Sequence, residues 1–328
     1  MKHCPMSRLL RIALLFCALA SPAASAQAPA FPTRPVTVVV PFPAGASPDV
    51  TMRVVASRLT VELGQPVIVD NRPGAGGNIG AAYVAKLPGD GYTVFLGTTG
   101  NLAVNKALFA SLPYDPVRDF AGVTTGYQTW NILIVSASSH LNTVQDVLAD
   151  ARANPGKLSF GSPGNGTIGH LVGAYFKLLT KTDLTHVPYK GQNLVLQDLL
   201  AGNIHLSFET NASAIPLIRG GKVRALAVTS TARLPDLPDV PGFGELGMPE
   251  LDVQGWAVFV VPASTPKPIV QRLNQALVAS LESAEVREKL TPMGVRIRTS
   301  SVADAQRNLE GEAQRWARIV AASGARIE

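Results

Sequence analysis

The strongest constraint on the fold of this chain is a repeated alternation of short apolar strands, glycine-rich turns and amphipathic helices. Val36 to Val40 is a continuous β-branched run, which is typical of a strand that is buried on both faces. A turn rich in Gly and Pro follows, and Val50 to Leu63 then has the pattern of a helix that ends at Gly64. Repeated units of this kind predict an α/β fold with a mostly parallel sheet flanked by helices.

The same alternation continues along the chain. Further strands are predicted at Val67 to Asp70, Thr93 to Gly97, Trp130 to Val135, Lys157 to Gly161, Thr185 to Tyr189, Ile204 to Phe208, Val223 to Thr229 and Trp256 to Val261. Helices are predicted at Ile79 to Lys86, 101–109, Thr143 to Ala153, Leu171 to Leu179, Leu194 to Leu200, Lys267 to Leu281 and Ser301 to Ala322. The last helix is amphipathic, and we expect its apolar face to pack on the protein through Leu309, Ala313, Trp316 and Val320.

The segment 1–26 has the organisation of a secretory signal peptide. It begins with a basic region that contains Lys2, Arg8 and Arg11. The apolar stretch Ile12 to Ala20 follows, and Ala24 to Ala26 fits an A-x-A cleavage site. Because the apolar stretch is far shorter than the ~20 residues that span a bilayer, we expect cleavage and export to the periplasm.

Cysteine content and charge narrow the function of the mature chain. Cys4 and Cys17 both precede the cleavage site, so the mature chain has no disulfide, thiolate nucleophile or cysteine metal ligand. Of the 29 Lys and Arg, three lie in the signal peptide, which leaves 26 against 23 Asp and Glu. This weak surplus, without a basic run interleaved with aromatic residues, argues against a nucleic-acid partner.

Two loops have the composition of anion-binding sites. One is Pro41 to Asp49, and the other is Gly161 to Thr167, which precedes the helix that contains His170. In open parallel sheets such loops lie at the carboxyl ends of strands, where helix N-termini supply unpaired N–H groups. Since 328 residues suffice for two domains, the pair of loops predicts two lobes that hold one anionic solute.

Three enzymatic or cofactor patterns fit less well. Gly164, Gly166 and Gly169 match a dinucleotide fingerprint, but no acidic residue stands about 20 positions further on. Ser162 could serve an exported hydrolase, although Phe160 occupies the first glycine position of the G-x-S-x-G motif. No H-x-x-x-H or H-E-x-x-H spacing indicates zinc. We therefore expect neither a metal nor a cofactor.

Some candidate residues have both a structural and a functional interpretation. His170 is either a core or capping histidine or a donor to ligand oxygen. Asp49 is either a helix N-cap or a cleft residue, and Arg53 is expected to pair with it across one helical turn. Tyr189 and Lys190 offer a hydroxyl and an ammonium group at a strand end.

Ordered motifs make the mature chain similar to a known family over essentially its whole length. They are Arg34 to Thr37 with Val39 to Gly45, Val69 to Gly80, Tyr114 to Phe120, Gly161 to Thr167 with His170, Val187 to Gly191 with Asp198 to Gly202, and Arg224 to Ser230. In this order they resemble the Bug (TctC-like) extracytoplasmic solute-binding receptors of tripartite tricarboxylate transporters.

The resemblance implies a two-lobe fold of the type II periplasmic binding class, the Venus flytrap. It also implies that a ligand carboxylate is held between the two loops, largely by backbone N–H groups and ordered waters. The expected ligand-binding residues are Phe42, Ala44, Gly45, Ser47, Asp49, Thr98, Thr99, Asn101, Ser162, Gly164, Gly166, Thr167, His170, Tyr189 and Glu209. No catalytic residue is expected.

The expected lobes are 31–128 plus 255–328 for lobe one and 129–254 for lobe two, joined near Gln128 and Gly255. We expect a monomer that captures a small carboxylate-bearing solute and presents it to inner-membrane permease subunits. A serine hydrolase and a receptor that feeds a signalling protein are the alternatives. Departures from the family pattern, such as Gln192 and Glu209, leave the identity of the solute open.

Overall fold

The computed structural model describes residues 31–323 as an α/β protein built on one curled, mixed sheet. The predicted signal peptide lies outside these residues. Within them, no helix is long and apolar enough to cross a membrane.

The sheet has ten strands within residues 31–323. They are β1 (Val36–Val40), β2 (Val67–Asn71), β3 (Thr93–Thr98), β4 (Phe120–Ser136), β5 (Ser159–Ser162), β6 (Thr185–Pro188), β7 (Leu206–Thr210), β8 (Val223–Val228), β9 (Gln254–Pro262) and β10 (Arg296–Ile297). Their order is β2-β1-β3-β9-β4-β7-β5-β6, and β8 and β10 each pair with β4.

Helices follow most of the strands, as the alternation predicts. They are α1 (Ser47–Leu63), α2 (Asn78–Ala85), α3 (Asn105–Leu108), α4 (Val144–Ala153), α5 (Ile168–Thr180), α6 (Gln192–Ala201), α7 (Asn211–Arg219), α8 (Lys267–Glu282), α9 (Ala284–Leu290) and α10 (Val302–Ser323). Short 3-10 turns occur at Ala75–Gly77, Pro249–Leu251 and Thr291–Met293, and Gly100–Val104 forms a π-helical turn before α3.

The sheet contains two parallel blocks that are joined by antiparallel strands. In the first block β1 pairs in parallel with β2 and β3, and in the second β5 pairs in parallel with β6 and β7. Strand β9 is antiparallel to β3 and β4, and β4 is antiparallel to β7 and β8. The α/β prediction is confirmed, but the parallel character is confined to the two blocks, so the sheet as a whole is mixed.

Strand β4 is the longest strand of the described chain and, together with β9, joins the two blocks. Its first half, from Phe120 to Trp130, pairs with β9, and its second half, from Asn131 to Ser136, pairs with β7 and β8. The sequence predicted only the apolar part, Trp130 to Val135. The first half was missed because its glycines and threonines break the apolar run, and the register with β9 shifts twice there.

Buried clusters line both faces of the sheet. The first block packs β1, β3 and β9 against α1 and α8, with Val38, Leu59 and Leu273 fully buried. The predicted apolar face of α10 buries Leu309, Trp316 and Val320, while Ala313 is half-buried. Trp316 and Val320 belong to the same cluster as Phe176 of α5, so the terminal helix connects the first block to the second.

Candidate ligand-binding cleft

A cavity of about 80 Å³ lies where β1, β3 and β5 end beside β4 and β9. Its volume is several times the ~10–15 Å³ that one buried water needs. It is lined by Phe42, Ser47, Pro48, Gly76, Thr98, Thr99, Gly100, Tyr127, Thr129, Asn131, Pro163, Thr167, Ile168, Gly169, Gln192, Phe208, Thr210, Gly255, Trp256 and Ala257. A wider outer cleft of about 590 Å³ shares Phe42, Gly76 and Pro163 with this cavity.

Four helices begin at the cavity. Ser47 opens α1, Thr167 precedes α5, Gln192 opens α6 and Thr210 precedes α7, and all four residues line the cavity. None of these helices has a side-chain hydrogen bond that caps its N-terminus. Away from the cavity, Thr143 and Ser283 cap α4 and α9, whereas α8 also lacks a side-chain cap. The free N–H groups and the helix dipoles therefore give the cavity a positive potential.

The lining of this cavity contains no Lys, Arg, His, Asp or Glu side chain. Aromatic and apolar groups from Phe42, Phe208 and Trp256 form part of the wall, and the polar lining consists of hydroxyl and amide groups. Because a site of low polarity strengthens the interaction of an anion with N–H dipoles, this wall favours one anionic group that is held by backbone donors.

The loop after β1 is held by Asp49, which is only 2 % exposed. Its carboxylate accepts hydrogen bonds from Gly45 N–H (2.8 Å), Arg53 Nε (3.0 Å) and Asn71 Nδ2 (2.9 Å). Burial alone would raise the pKa of Asp49, but the hydrogen bonds from Arg53, Gly45 and Asn71 outweigh it and hold the pKa below its ordinary value. The predicted Asp49–Arg53 pair is confirmed, so Asp49 organises the loop instead of facing the cavity.

The loop after β5 rests on two stacked histidines. Ser162 Oγ lies 2.7 Å from His186 Nε2, and His170 Nδ1 accepts a hydrogen bond from Gly166 N–H at 3.2 Å. The rings of His170 and His186 stack at 4.3 Å, and Phe160 stacks on His186 at 4.8 Å. Ser162 is fully buried, and His170 accepts a hydrogen bond from the loop backbone. Both residues therefore support the conformation of the loop on its side away from the cavity.

Burial keeps both histidines neutral. It lowers the pKa of His170 to about 4. It also lowers the pKa of His186 to about 3, with further repulsion from His170 once that ring is protonated and from Lys177. In the unfolded chain both rings become protonated near pH 6.5, whereas in the folded protein they become protonated only at a lower pH. The free energy of unfolding should therefore fall between about pH 6.5 and pH 4.

We expect the two rings to account for a loss on the order of 1–3 kcal/mol between pH 7 and pH 5. Urea unfolding of wild type and of the double variant His170→Gln/His186→Gln at both pH values measures it. The variant should be less stable at pH 7 but show a smaller loss at pH 5. His140→Gln, at an exposed ring, is the control variant. An equal loss in the wild type and the double variant would contradict the assignment.

The predicted site residues separate into two groups. Those that line the inner cavity or the outer cleft are Phe42, Ser47, Thr98, Thr99, Gly164, Thr167 and Tyr189. Those that line neither are Ala44, Gly45, Asp49, Asn101, Ser162, Gly166, His170 and Glu209. Four members of the second group accept hydrogen bonds from loop backbone N–H groups: Asp49 from Gly45, Asn101 from Thr98, Ser162 from Gly164 and His170 from Gly166.

Three members of these groups have their polar atoms engaged within the protein. Asn101 Oδ1 accepts from Thr98 N–H at 3.0 Å, and its Nδ2 donates to Thr98 Oγ1 at 3.0 Å. Tyr189 donates to Asp198 at 2.6 Å, and burial with this bond raises the pKa of Tyr189 to about 12. Glu209, 1 % exposed, accepts hydrogen bonds from Gln192 and Ser207, and burial raises its pKa.

Sequence reasoning missed the wall that β4 contributes. Tyr127, Thr129 and Asn131 alternate along this strand and all line the cavity, because side chains two apart point to the same face. Gln192 was noted only as a departure from the family pattern, and Trp256 only as the start of a strand. The alternation of Tyr127, Thr129 and Asn131 indicates a half-buried strand. Which face of that strand lines the cavity, however, depends on the strands that pair with it, and the sequence does not show this.

The two blocks touch each other across the cleft. A Cβ atom placed on Gly100 would lie 2.7 Å from the carbonyl oxygen of Gly166, and one on Gly76 would lie 2.5 Å from that of Asn165. Asn211 also donates a hydrogen bond to the Gly294 carbonyl, and Arg296 pairs with Asp236 at 2.8 Å. The cavity is therefore enclosed by backbone from both blocks in direct contact.

This architecture, with a cavity between two βα blocks that β4 and β9 connect, is that of a periplasmic solute-binding protein. The sequence matches the model of the tripartite tricarboxylate transporter family receptor over residues 51–325, and the chain belongs to this family.

Relatives and solved structures agree with this assignment. Protein BugT of Bordetella pertussis is 35% identical over 324 residues, which cover 98% of this chain and 99% of BugT. The structure of the periplasmic binding protein BugD superposes with a TM-score of 0.87 at 30% identity and covers 91% of this chain and 100% of BugD. An R. palustris protein with adipate has a TM-score of 0.86 at 38% identity and covers 90% of this chain and 100% of its own.

Proposed function

We propose that this periplasmic solute-binding protein captures a small carboxylate-bearing solute and presents it to the membrane subunits of a tripartite transporter. The observation that carries the proposal is the convergence of four uncapped helix N-termini on a cavity without a charged lining side chain. The adipate bound to the R. palustris relative supports the same ligand class. Four or five charge-assisted hydrogen bonds, at about 1.5–3 kcal/mol each before ordering costs, suffice for micromolar binding.

We further propose that the lobes are 31–128 plus 255–328 and 129–254. In the antiparallel β4–β9 ladder Gln128 pairs with Trp256 and Thr129 with Gly255, so both chain crossings lie side by side. Adjacent crossings allow one lobe to rotate on the other with small backbone changes. A ligand that contacts both lobes then stabilises the arrangement in which they touch.

The protein is in this view an exported monomer that binds its solute without converting it chemically. Segment 1–26 directs its export. Ser162, the candidate nucleophile of the hydrolase alternative, is fully buried and does not line the cavity. A nucleophile must reach its substrate, so this placement speaks against that alternative.

A thermal-melt screen tests the proposed function. The mature chain, residues 27–328, is stripped of ligand by unfolding and refolding and then mixed with small carboxylic acids or their matched primary amides. We expect one or more acids to raise the melting temperature, because a ligand at 100 times its Kd stabilises by about 2.7 kcal/mol, while the corresponding amide has no effect. Stabilisation by neutral sugars or cations and not by any acid would contradict the anion site.

A further inference from the structure

Asn131 is the most deeply buried amide of the cavity wall. Its backbone is fully used, since its N–H donates to Thr229 Oγ1 at 2.9 Å and its carbonyl accepts from Thr229 N–H at 2.8 Å. Its side chain is 1 % exposed and lines the cavity together with Thr129 on the same face of β4. The backbone bonds fix the place of Asn131 on β4, and its side chain leaves the strand on the face that lines the cavity.

Neither side-chain atom of Asn131 has a hydrogen-bond partner among the described residues. A buried amide without partners opposes folding, because it loses its bonds to water and gains none in return. Leucine has a similar size and would avoid this cost at the same place. A costly polar group that faces a binding cavity is typical of a residue retained for function.

Asn131 lies apart from the two anion-binding loops. Two strands, β3 and β9, separate β4 from β1, and one strand, β7, separates it from β5. At about 4.8 Å per strand, Asn131 is roughly 14 Å and 10 Å across the sheet from the strands that carry these loops. A ligand whose carboxylate lay at these loops would therefore bring its other end towards Asn131.

The side chains near Asn131 in the cavity lining are uncharged, and the nearest amide donor is already engaged. Its partner in the β4–β7 ladder, Thr210, precedes α7, while Glu209 lies on the opposite face of β7 and bonds Ser207 and Gln192. Gln192 Nε2 is engaged by Glu209 and by Ser213 Oγ at 2.5 Å, so it is not free to donate to an anion. No cationic side chain lines the cavity to offset a second negative charge.

We propose that Asn131 determines specificity by hydrogen-bonding an uncharged polar tail of the ligand, a carboxamide or a hydroxyl group, opposite its carboxylate. Both groups contain a donor and an acceptor, which matches the unpartnered Nδ2 and Oδ1 of Asn131. This inference rests on the proposed function and narrows it from carboxylates in general to acids with a neutral polar tail. The dicarboxylate adipate of the R. palustris relative defines the competing ligand class.

Calorimetry on the stripped mature chain tests the inference with four matched acids. The acids are pentanoate, 5-hydroxypentanoate, the monoamide of glutarate, and glutarate itself. Each acid is also tested as the homologues that are one carbon shorter and one carbon longer. The wild type should bind the alcohol or the amide at least tenfold more tightly than the apolar acid and the diacid of equal length. Asn131→Leu should remove this preference by weakening the polar acids 10- to 100-fold and leaving the apolar acid unchanged or tighter.

A second readout separates a ligand-binding role from a structural one. Without ligand, Asn131→Leu should melt at the same or a higher temperature than the wild type, because two unpartnered polar atoms are removed. If the Asn131→Leu variant does not fold, Asn131→Val is used in its place, because valine is favoured in strands. Asn308→Leu makes the same change at an exposed position of α10 and should alter neither property.

The outcomes distinguish the two proposals. If no acid binds to the wild type, the anion site and the proposed function fail together. If acids bind but glutarate or its homologues are preferred, or if Asn131→Leu keeps the wild-type preference, the inference about the tail is wrong and the proposed function stands. A marked drop in the melting temperature of ligand-free Asn131→Leu and of Asn131→Val would assign the amide a structural role.

Discussion

Replacement of Gly100 by alanine should weaken ligand binding about 10- to 100-fold without lowering the stability of the ligand-free protein. The added Cβ would lie 2.7 Å from the Gly166 carbonyl oxygen, which belongs to the opposite wall of the cleft. Backbone on that wall cannot move away locally, so the contact costs about 1–3 kcal/mol in the arrangement where the walls touch. Alanine itself suits the helical turn that begins at Gly100, so the open protein is not destabilised.

Calorimetry gives the affinity of Gly100→Ala for the acid found in the screen, and small-angle scattering gives its radius of gyration with and without that acid. The variant should stay expanded at acid concentrations that compact the wild type. Gly311→Ala is the matched control, since Gly311 lies within α10 and its added Cβ would meet no atom within 4 Å. Wild-type affinity in Gly100→Ala would show that the two walls do not come this close around a ligand.

The second large effect is expected for Asp49→Asn, which should lower the free energy of unfolding by about 2–4 kcal/mol. Donors from Gly45, Arg53 and Asn71 surround the carboxylate, so an amide nitrogen at this place would face another donor. The substitution also removes a negative charge from the first turn of α1. Acid affinity should fall as well, because Asn71 connects Asp49 to the Phe42 carbonyl in the same loop.

Urea unfolding at pH 7 measures this loss. The folded pKa of Asp49 lies below its ordinary value, so its contribution is complete above about pH 4 and disappears as the pH falls through the folded pKa. The stability difference between wild type and Asp49→Asn should therefore shrink in acid. Asp183→Asn is the control, because Asp183 is 65% exposed and its pair with Lys177 should contribute about 0–1 kcal/mol. Equal losses in the two variants would contradict a special role for Asp49.

Motifs that depend on neighbouring residues were accessible from the sequence. The βα alternation, the strand Val36–Val40, the two glycine-rich loops and the pairing of Asp49 with Arg53 were all predicted. Each of these follows from side-chain periodicity or from spacing along one helix, which act over a few residues. Helix α7 was missed although Thr210 and Asn211 are residue types typical of a helix start, because Pro216 lies within the helix.

The direction in which several candidate side chains point could not be predicted. On β7, Phe208 and Thr210 line the cavity, while Ser207 and Glu209 lie on the opposite face and bond each other. At the start of α5, Ile168 and Gly169 line the cavity, while His170 turns to the loop backbone. Successive residues of a strand or helix point in different directions, and the sequence does not indicate which direction is the cleft.

The sequence by itself determined the family, the α/β class and the two loops that present helix N-termini, because these follow from local patterns and ordered motifs. Only the tertiary structure showed that β4 joins the two blocks with β9 and adds Asn131 and Thr129 to the cavity wall. It also placed Asp49, Ser162 and His170 behind the loops as supports. Strand pairing joins residues that are far apart in the chain, and that long-range register decides which polar groups face the ligand and which hold the backbone.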